Sequence, residues 1–382
     1  MSGWHNHGTG WHTHSRKLRL PDGPTERFHV HGVVLPDETA TDLWIVDGRI
    51  SYTPTANAHT IARNVWILPG LVDAHCHIGL DEGGAISKEK AEHQAITERD
   101  AGVLLIRDAG SPSDTRWIDD RDDLPTIIRA GRHIARPKRY IRNYAAEVEP
   151  PDLVATVEAQ AKAGDGWVKL VGDWIDRETG DLGPLWDFET ARAAIERAHE
   201  LGARVTAHCF AEDAPAMLVA AGIDGIEHGT GLDDATIDLM AERQVALVPT
   251  MVNLENFESI AASGEAKFPT YAAHMRHLYR RRIETLSKAY EAGVPIYAGT
   301  DAGGVVPHGL IGQEVELLRD ICGNADAVAA ASWRARTWLG HENLVEGASA
   351  DLVIVDSDPR VEARTLSRPL AVFLAGRLIA RG

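Results

Sequence analysis

The sequence predicts an α/β fold: a (β/α)8 TIM barrel carrying a small β-sandwich domain formed from both chain termini. Three observations predict it. Short apolar runs alternate with amphipathic stretches about eight times through the middle of the chain, which is the arithmetic of such a barrel. β-branched and aromatic runs occur near both ends, and two strand groups so placed suggest one domain closed by both termini. At 382 residues the chain is too long for one small core and fits a large domain with a smaller companion.

Residues 1–15, "MSGWHNHGTGWHTHS", carry two related Trp-His units, many glycines and no apolar periodicity. They are expected to form a flexible extension or affinity tag. The small β domain is expected over 16–66 and 344–382. Its first strands are "ERFHVHGVVLP" and "TDLWIVDGRISY", the second broken by an Asp47-Gly48 turn; its last are "ADLVIVDSDP" and "LAVFLAGRLIARG". The barrel is expected over 67–343. Eight runs supply its strands: "WILPGLVDAHCH", "VLLIRDAG", "TIIRAGRHI", "WVKLVGD", "ARVTAHCF", "GIEHGTG", "VALVPTM" and "PIYAGTD". Helical patterns such as "ISKEKAEHQAITERDAG", "DLVATVEAQAKAG", "DFETARAAIERAHELG" and "DDATIDLMAERQ" separate them.

Composition excludes several functions. A net charge of −17 and the lack of a basic patch argue against a nucleic-acid partner. No apolar run is long enough to span a membrane, and no secretory h-region is visible. The three cysteines, Cys76, Cys209 and Cys322, are odd in number and far apart, which fits reduced thiols. A cytoplasmic, soluble protein with a small-molecule substrate is the expectation.

Four H-x-H pairs raise the question of a metal. Two, His5/His7 and His12/His14, lie in the extension, where nothing positions a substrate. His29 and His31 share one face of a strand and are expected on a solvated face rather than as ligands. His75 and His77 end the first barrel strand, with Cys76 pointing the other way. Barrel chemistry sits at the C-terminal ends of strands. There the fifth predicted strand delivers His208, the sixth His228 and the eighth Asp301, while the fourth contains Lys169 among apolar residues. Any one has a bland structural reading; their coincidence does not. Imidazole and carboxylate suit Zn²⁺ and related ions: two His with one Asp fit one ion, two further His a second. A lysine bridges them only if its amine is neutral and carboxylated by CO2, and burial favours the neutral form.

On these residues the sequence resembles the amidohydrolase superfamily, in its imidazolonepropionase-like and prolidase-like branch of metal-dependent hydrolases. "VDGRI" followed by "ILPGLVDAHCH" resembles the entry into the first barrel strand. "AGVLLIRDAG", "VTAHC", "IEHGTG" and "AGTDAGG…PHG" resemble later strands, and "ASADLVIVDSDP" with "VFLAGRLI" the C-terminal return. The resemblance covers about residues 26–382. It implies two divalent metal ions, zinc first. His75, His77 and Asp301 would hold the more buried ion, His208 and His228 the other, and a carboxylated Lys169 would bridge them. The imidazolonepropionase branch itself has one metal and lacks the lysine, so Lys169 favours a dinuclear peptidase-like, amidase-like or lactonase-like enzyme. Homo-oligomers are common in the family, though the sequence holds no interface signature.

The implied reaction is cleavage of an amide C–N bond, as in a dipeptide or N-acyl amino acid, by hydroxide bridging the ions. Asp301 would be the catalytic proton carrier. A lactone, ester or carbamate hydrolase using the same site is the alternative. A deaminase fits less well, because His208 is followed by Cys209, Phe210 and Ala211 with no H-x-x-E shuttle. A barrel that has lost catalysis is disfavoured by six filled ligand positions. Substrate contacts are expected from Tyr140, Arg142 and Tyr144 in "RYIRNYAAEVE" and from His308 in "VVPHGLIG". Trp174 and Trp186 are candidates for an apolar wall, and the segment after strand seven for a helical lid.

Overall fold

The computed structural model describes residues 4–6, 11–13, 18–21 and 25–381. Within the predicted extension, Trp4–Asn6 and Trp11–Thr13 pair antiparallel; the rest of that expectation lies outside the described residues. Four strands follow: Arg27–Val34 (β1), Ala40–Val46 (β2), Arg49–Ser51 (β3) and His59–Pro69 (β4). The central strands are Leu71–Cys76 (β5), Val103–Asp108 (β6), Thr126–Arg129 (β7), Ile134–Ala135 (β8), Ala146–Glu147 (β9), Trp167–Val171 (β10), Arg204–Cys209 (β11), Gly225–His228 (β12) and Ala246–Val248 (β13). Leu352–Val355 (β14), Ala371–Leu374 (β15) and Arg377–Arg381 (β16) close the series.

The strands from the two ends form one seven-stranded sheet in the order β16-β15-β14-β4-β1-β2-β3. Phe28 of β1 and Phe373 of β15 meet edge-to-face at 5.0 Å, although they stand three strands apart. A flat sheet would separate them by roughly 14 Å. The sheet therefore rolls around its own core of Val30, Leu43, Ile45, Ile67, Leu352 and Ile354. His29 and His31 both contact Asp42, at 2.9 and 3.0 Å, and His29 is buried. The expectation of a fully solvated pair is thus corrected: a shared carboxylate and the Trp44 ring, 5.0 Å from that of His29, cover half of it.

The central strands are all parallel. Three make one ladder (β7-β6-β5) and six another (β9-β8-β10-β11-β12-β13). The segment predicted as strand eight, 295–302, joins them through separate hydrogen bonds and not a regular ladder. Tyr297 N donates to Leu247 O (3.0 Å), Ala74 N to Ala298 O (2.8 Å) and Asp301 N to His75 O (2.7 Å). Pro295 has no N–H to give, and Asp301 turns to a φ of 61°. Both interrupt regular pairing.

The four quoted helical patterns form Lys88–Asp100 (α1), Leu153–Ala163 (α2), Phe188–Glu200 (α3) and, beyond a further helix at Asp213–Ala220 (α4), Asp234–Arg243 (α5). Ser87, Asp187 and Asp233 cap α1, α3 and α5. The expected lid segment is Phe257–Gly264 (α6) and Pro269–Glu291 (α7), and Ile311–Ala330 (α8) follows. Phe257 is fully buried against Phe210 at 4.7 Å, which anchors α6 to the strand ends. Among the described residues no helix is long and apolar enough to cross a membrane.

The expected boundary at residue 66 moves, because β4 runs to Pro69 in the rolled sheet and β5 begins at Leu71 in the central one. Gly70 is the switch. A Cβ there would meet the Leu104 side chain at 2.7 to 2.9 Å, too close for contact. Gly70→Ala is therefore expected to lower unfolding free energy by about 1–3 kcal/mol. Urea denaturation of both proteins checks this; a midpoint equal to wild type would mean Leu104 yields freely.

Candidate metal centre

His75 and His77 leave β5 on one face, and their tautomers are set by what Nδ1 touches. His75 Nδ1 donates to Glu227 Oε2 at 2.7 Å, and His77 Nδ1 to the Gly110 carbonyl at 2.7 Å. Neither partner can donate, so in the neutral rings Nε2 of each presents a lone pair. Both lone pairs face the same carboxylate oxygen: Asp301 Oδ1 lies 3.1 Å from His75 Nε2 and 2.9 Å from His77 Nε2. Such acceptors repel unless a cation or protons sit among them. His228 brings a third imidazole, and donor atoms of His75, His228 and Asp301 all lie within 4.8 Å of one another.

His208 completes the ring wall, 4.7 Å from the His228 ring. Its Nε2 is buried with no hydrogen-bond partner, a nitrogen still lacking the group it would bind. Burial, and then the neighbouring His228, holds its pKa well below the ordinary value. Burial likewise pushes His228 down to about 3. Both are therefore neutral ligand-type imidazoles near pH 7. Burial alone would raise Asp301, but positive charge between it and the histidines, as when His75 and His77 carry protons and donate to it, holds its carboxyl well below the usual range. Asn253 Nδ2 donates to the other oxygen, Oδ2, at 2.8 Å. The donor set and the orphaned nitrogen fit one or more divalent ions.

Lys169 is buried and pairs with no carboxylate as a salt bridge among the described residues. Desolvation lowers its pKa to about 8, leaving a usable neutral fraction of amine. Beneath His75, Glu227 takes three donors: His75, Arg107 Nη2 at 2.6 Å and the Thr206 hydroxyl. Burial would raise Glu227, but Arg107 and His75 keep it well below its ordinary value. Three residues at or just past the strand ends hold strained backbone. His228, Thr250 and Asp301 have φ of 69°, 53° and 61°, a region that costs non-glycine residues about 1–3 kcal/mol each. At this price of backbone strain, Thr250 Oγ1 reaches His228 Nδ1 at 2.7 Å.

The structure thus links five predicted ligand residues, His75, His77, His208, His228 and Asp301, by direct proximity, with Lys169 buried in β10, and it divides the predicted substrate residues. Tyr140 stands 5.7 Å, ring to ring, from His208. Tyr144 is buried, with burial and Asp301 pushing its hydroxyl to about 12. Arg142 is exposed, so the expected carboxylate clamp is not formed by it. His308 is turned onto Glu98, its Nδ1 2.9 Å from Oε1, and belongs to a different side-chain group from Asp301. The expected substrate contact from His308 is corrected accordingly. Trp174 packs 5.5 Å from the His208 ring, while Trp186 is buried and donates to Val171 O. Two participants escape the sequence. His133, at the end of the third predicted strand, is buried with neither ring nitrogen partnered, 5.0 Å from the His77 ring. Its place at a strand end is the available signal. Asn253 lies past strand seven, where spacing offers none.

The profile of the amidohydrolase family matches residues 66–379. The chain belongs to that family. It is accordingly a hydrolase. It is 57% identical over 359 residues to the uncharacterized protein Rv2915c of Mycobacterium tuberculosis (strain ATCC 25618 / H37Rv), covering 94% of this chain and 97% of the relative. In fold it is similar to a Xaa-Pro dipeptidase crystallised with methionine in its active site (TM-score 0.78, 23% identity, 93% of this chain and 100% of the other). It is also similar to ochratoxinase of Aspergillus niger (TM-score 0.75, 18% identity, 93% and 96%).

The hairpin carrying Trp174, Asp173–Asp176 with Asp181–Pro184, is latched to α7 by His274. Its Nδ1 lies 2.9 Å from Asp181 and its Nε2 2.9 Å from Glu212, so both nitrogens must donate and the ring is cationic. The Glu212 hydrogen bond, outweighing burial, raises its pKa from 6.5 to about 9. A raised cation stabilises fully below its unfolded value and loses that contribution as pH rises through the folded one. His274→Gln should therefore cost about 1 kcal/mol or less at pH 6 and nothing above pH 10. Melting curves of both proteins across that range check the sign.

Proposed function

We propose that the chain hydrolyses an amide C–N bond of a small substrate, such as a dipeptide or an N-acyl amino acid. The observation that carries this is the convergence of two imidazole nitrogens, His75 and His77 Nε2, on Asp301 Oδ1 at 3.1 and 2.9 Å. We read the two parallel ladders and segment 295–302 as a (β/α)8 barrel with these residues at its C-terminal mouth. Two divalent ions, zinc first, would be held by His75, His77 and Asp301 and by His208 and His228. Lys169 would bridge once Nζ adds CO2 and loses a proton, becoming an anionic carbamate. Ions so placed supply an acidified water and polarise a carbonyl.

The remaining work belongs to side chains. Asp301, ionised and steadied by Asn253, accepts the proton of the attacking water and returns it to the leaving nitrogen. His133, neutral because burial holds its pKa well below the ordinary value, offers a ring N–H to the carbonyl oxygen as charge develops there. The Tyr144 hydroxyl keeps its proton and can donate. Tyr140, Trp174 and Phe210 around His208 keep bulk water from the reacting carbonyl.

Hydrolysis of a lactone, ester or carbamate is the second reading. The aromatic wall beside His208 and the outward-facing Arg142 favour it, since neither selects a free carboxylate.

A panel of dipeptides and N-acyl amino acids set against lactones, esters and carbamates separates the two. Amine release by wild type, reduced at least about 100-fold in Asp301→Asn while elemental analysis still finds metal, is the expected result. Cleavage of oxygen esters alone would replace the first reading by the second. His133→Phe should lower kcat by about 100- to 1,000-fold with the fold intact by circular dichroism. Unchanged turnover would remove His133 from the chemistry.

A further inference from the structure

On the face of β5 opposite His75 and His77, a second group of donors converges. Cys76, a carboxylate oxygen of Glu98 on α1 and a ring nitrogen of His308 lie within 4.8 Å of one another. They come from a strand, a helix and the loop beyond Asp301. Cys76 and Glu98 have no solvent exposure, and the His308 side chain is 8% exposed. Two of their polar atoms, Glu98 Oε2 and His308 Nε2, are buried without any hydrogen-bond partner. A buried carboxylate oxygen with nothing to accept from is costly.

Two further buried carboxyl groups, Asp73 of β5 and Asp108 of β6, have donors of their own. Asp73 is held by His75 N, Thr300 N and the Thr300 hydroxyl. Asp108 is held by Ile78 N and Gly110 N. Among the described residues neither forms a salt bridge with a lysine or arginine.

We propose that Cys76, Glu98 and His308 form a second metal site, structural in role, for a borderline-soft divalent ion such as Zn²⁺. Sulfur, oxygen and nitrogen donors are the mixture that ion accepts. Binding displaces the Cys76 thiol proton to solvent and changes no oxidation state. One thiolate and one carboxylate then balance the doubly charged ion, so the buried site is neutral. A water completes the tetrahedron. The ion ties the strand between His75 and His77 to the loop that follows Asp301, with α1 as the third anchor. It thereby fixes the backbone from which three catalytic-centre residues project. None of the six residues of that centre is a cysteine, so the inference stands apart from the proposed reaction.

Cobalt provides the test, because a thiolate bound to Co²⁺ gives a near-ultraviolet charge-transfer absorption that imidazole and carboxylate ligands do not. The full chain is produced in zinc-depleted medium with added cobalt, and its spectrum and metal content are recorded. The sulfur band is expected in wild type and in Cys209→Ser/Cys322→Ser, which leaves Cys76 the sole thiol of the three cysteines. It should vanish in Cys76→Ser together with one metal ion per chain. Wild type without the band, a band surviving in Cys76→Ser, or a band lost from the double variant each overturns the proposal and leaves a buried water or shared proton there. Should Cys76→Ser not fold, the double variant decides.

Discussion

Everything at the mouth of the central strands depends on one imidazole held between two carboxylates. His75 donates to Glu227 through Nδ1 and turns Nε2 toward Asp301. Glu227 can do this only as an anion, and it stays an anion inside the protein because Arg107 lies against it at 2.6 Å. Arg107 in turn lies beside the Trp167 and Trp338 rings, 4.7 and 5.2 Å away, and also donates to Ala74 O. Buried ion pairs often add little net stability. What this pair contributes is orientation, since it decides which nitrogen of His75 is free. A ligand's outer partner setting its tautomer is a general feature of metal sites.

The ligand residues are legible in the sequence because their chemistry restricts residue type and their position restricts spacing. Period two along β5 puts His75 and His77 together, and the ends of β11 and β12 supply His208 and His228 by the same geometry. What spacing cannot carry is who meets whom across the fold. Glu227 stands within "GIEHGTG" yet looks like any strand residue, since its meaning comes from Arg107, which lies 120 residues away in sequence. His308 shows the converse. Its neighbourhood in the chain suggests the site, but the loop's direction sends it to Glu98. Strand eight is visible as a run, while its broken pairing follows from Pro295 and the turned backbone at Asp301, and its close approach to β5 needs Gly299. A Cβ at Gly299 would meet His75 N at 2.6 Å.

The two faces of β5 make different demands. Inward, His75 and His77 need close aim. Outward, Cys76 lies within reach of the buried Glu98 carboxylate and the His308 ring. A strand so loaded with polar atoms lacks the apolar filling that usually stabilises a parallel sheet. The compensation comes from neighbours: Ile106, Val168, Leu170 and Val205 have no exposure. The strained conformations at His228, Thr250 and Asp301 rest on the same rigid packing.

The rolled sheet has a consequence for synthesis. Its β4 ends at Pro69 and its partner β14 begins at Leu352, about 280 residues later. A ribosome adding ~5–20 residues per second needs about a quarter of a minute to a minute to cover that distance. For that interval the β4 edge, with its apolar Ile67 and Leu68, is made but unpaired, and an open strand edge invites pairing with another chain. The nascent protein is thus most exposed to aggregation while its central strands are being built, and chaperone capture in that window would govern its yield.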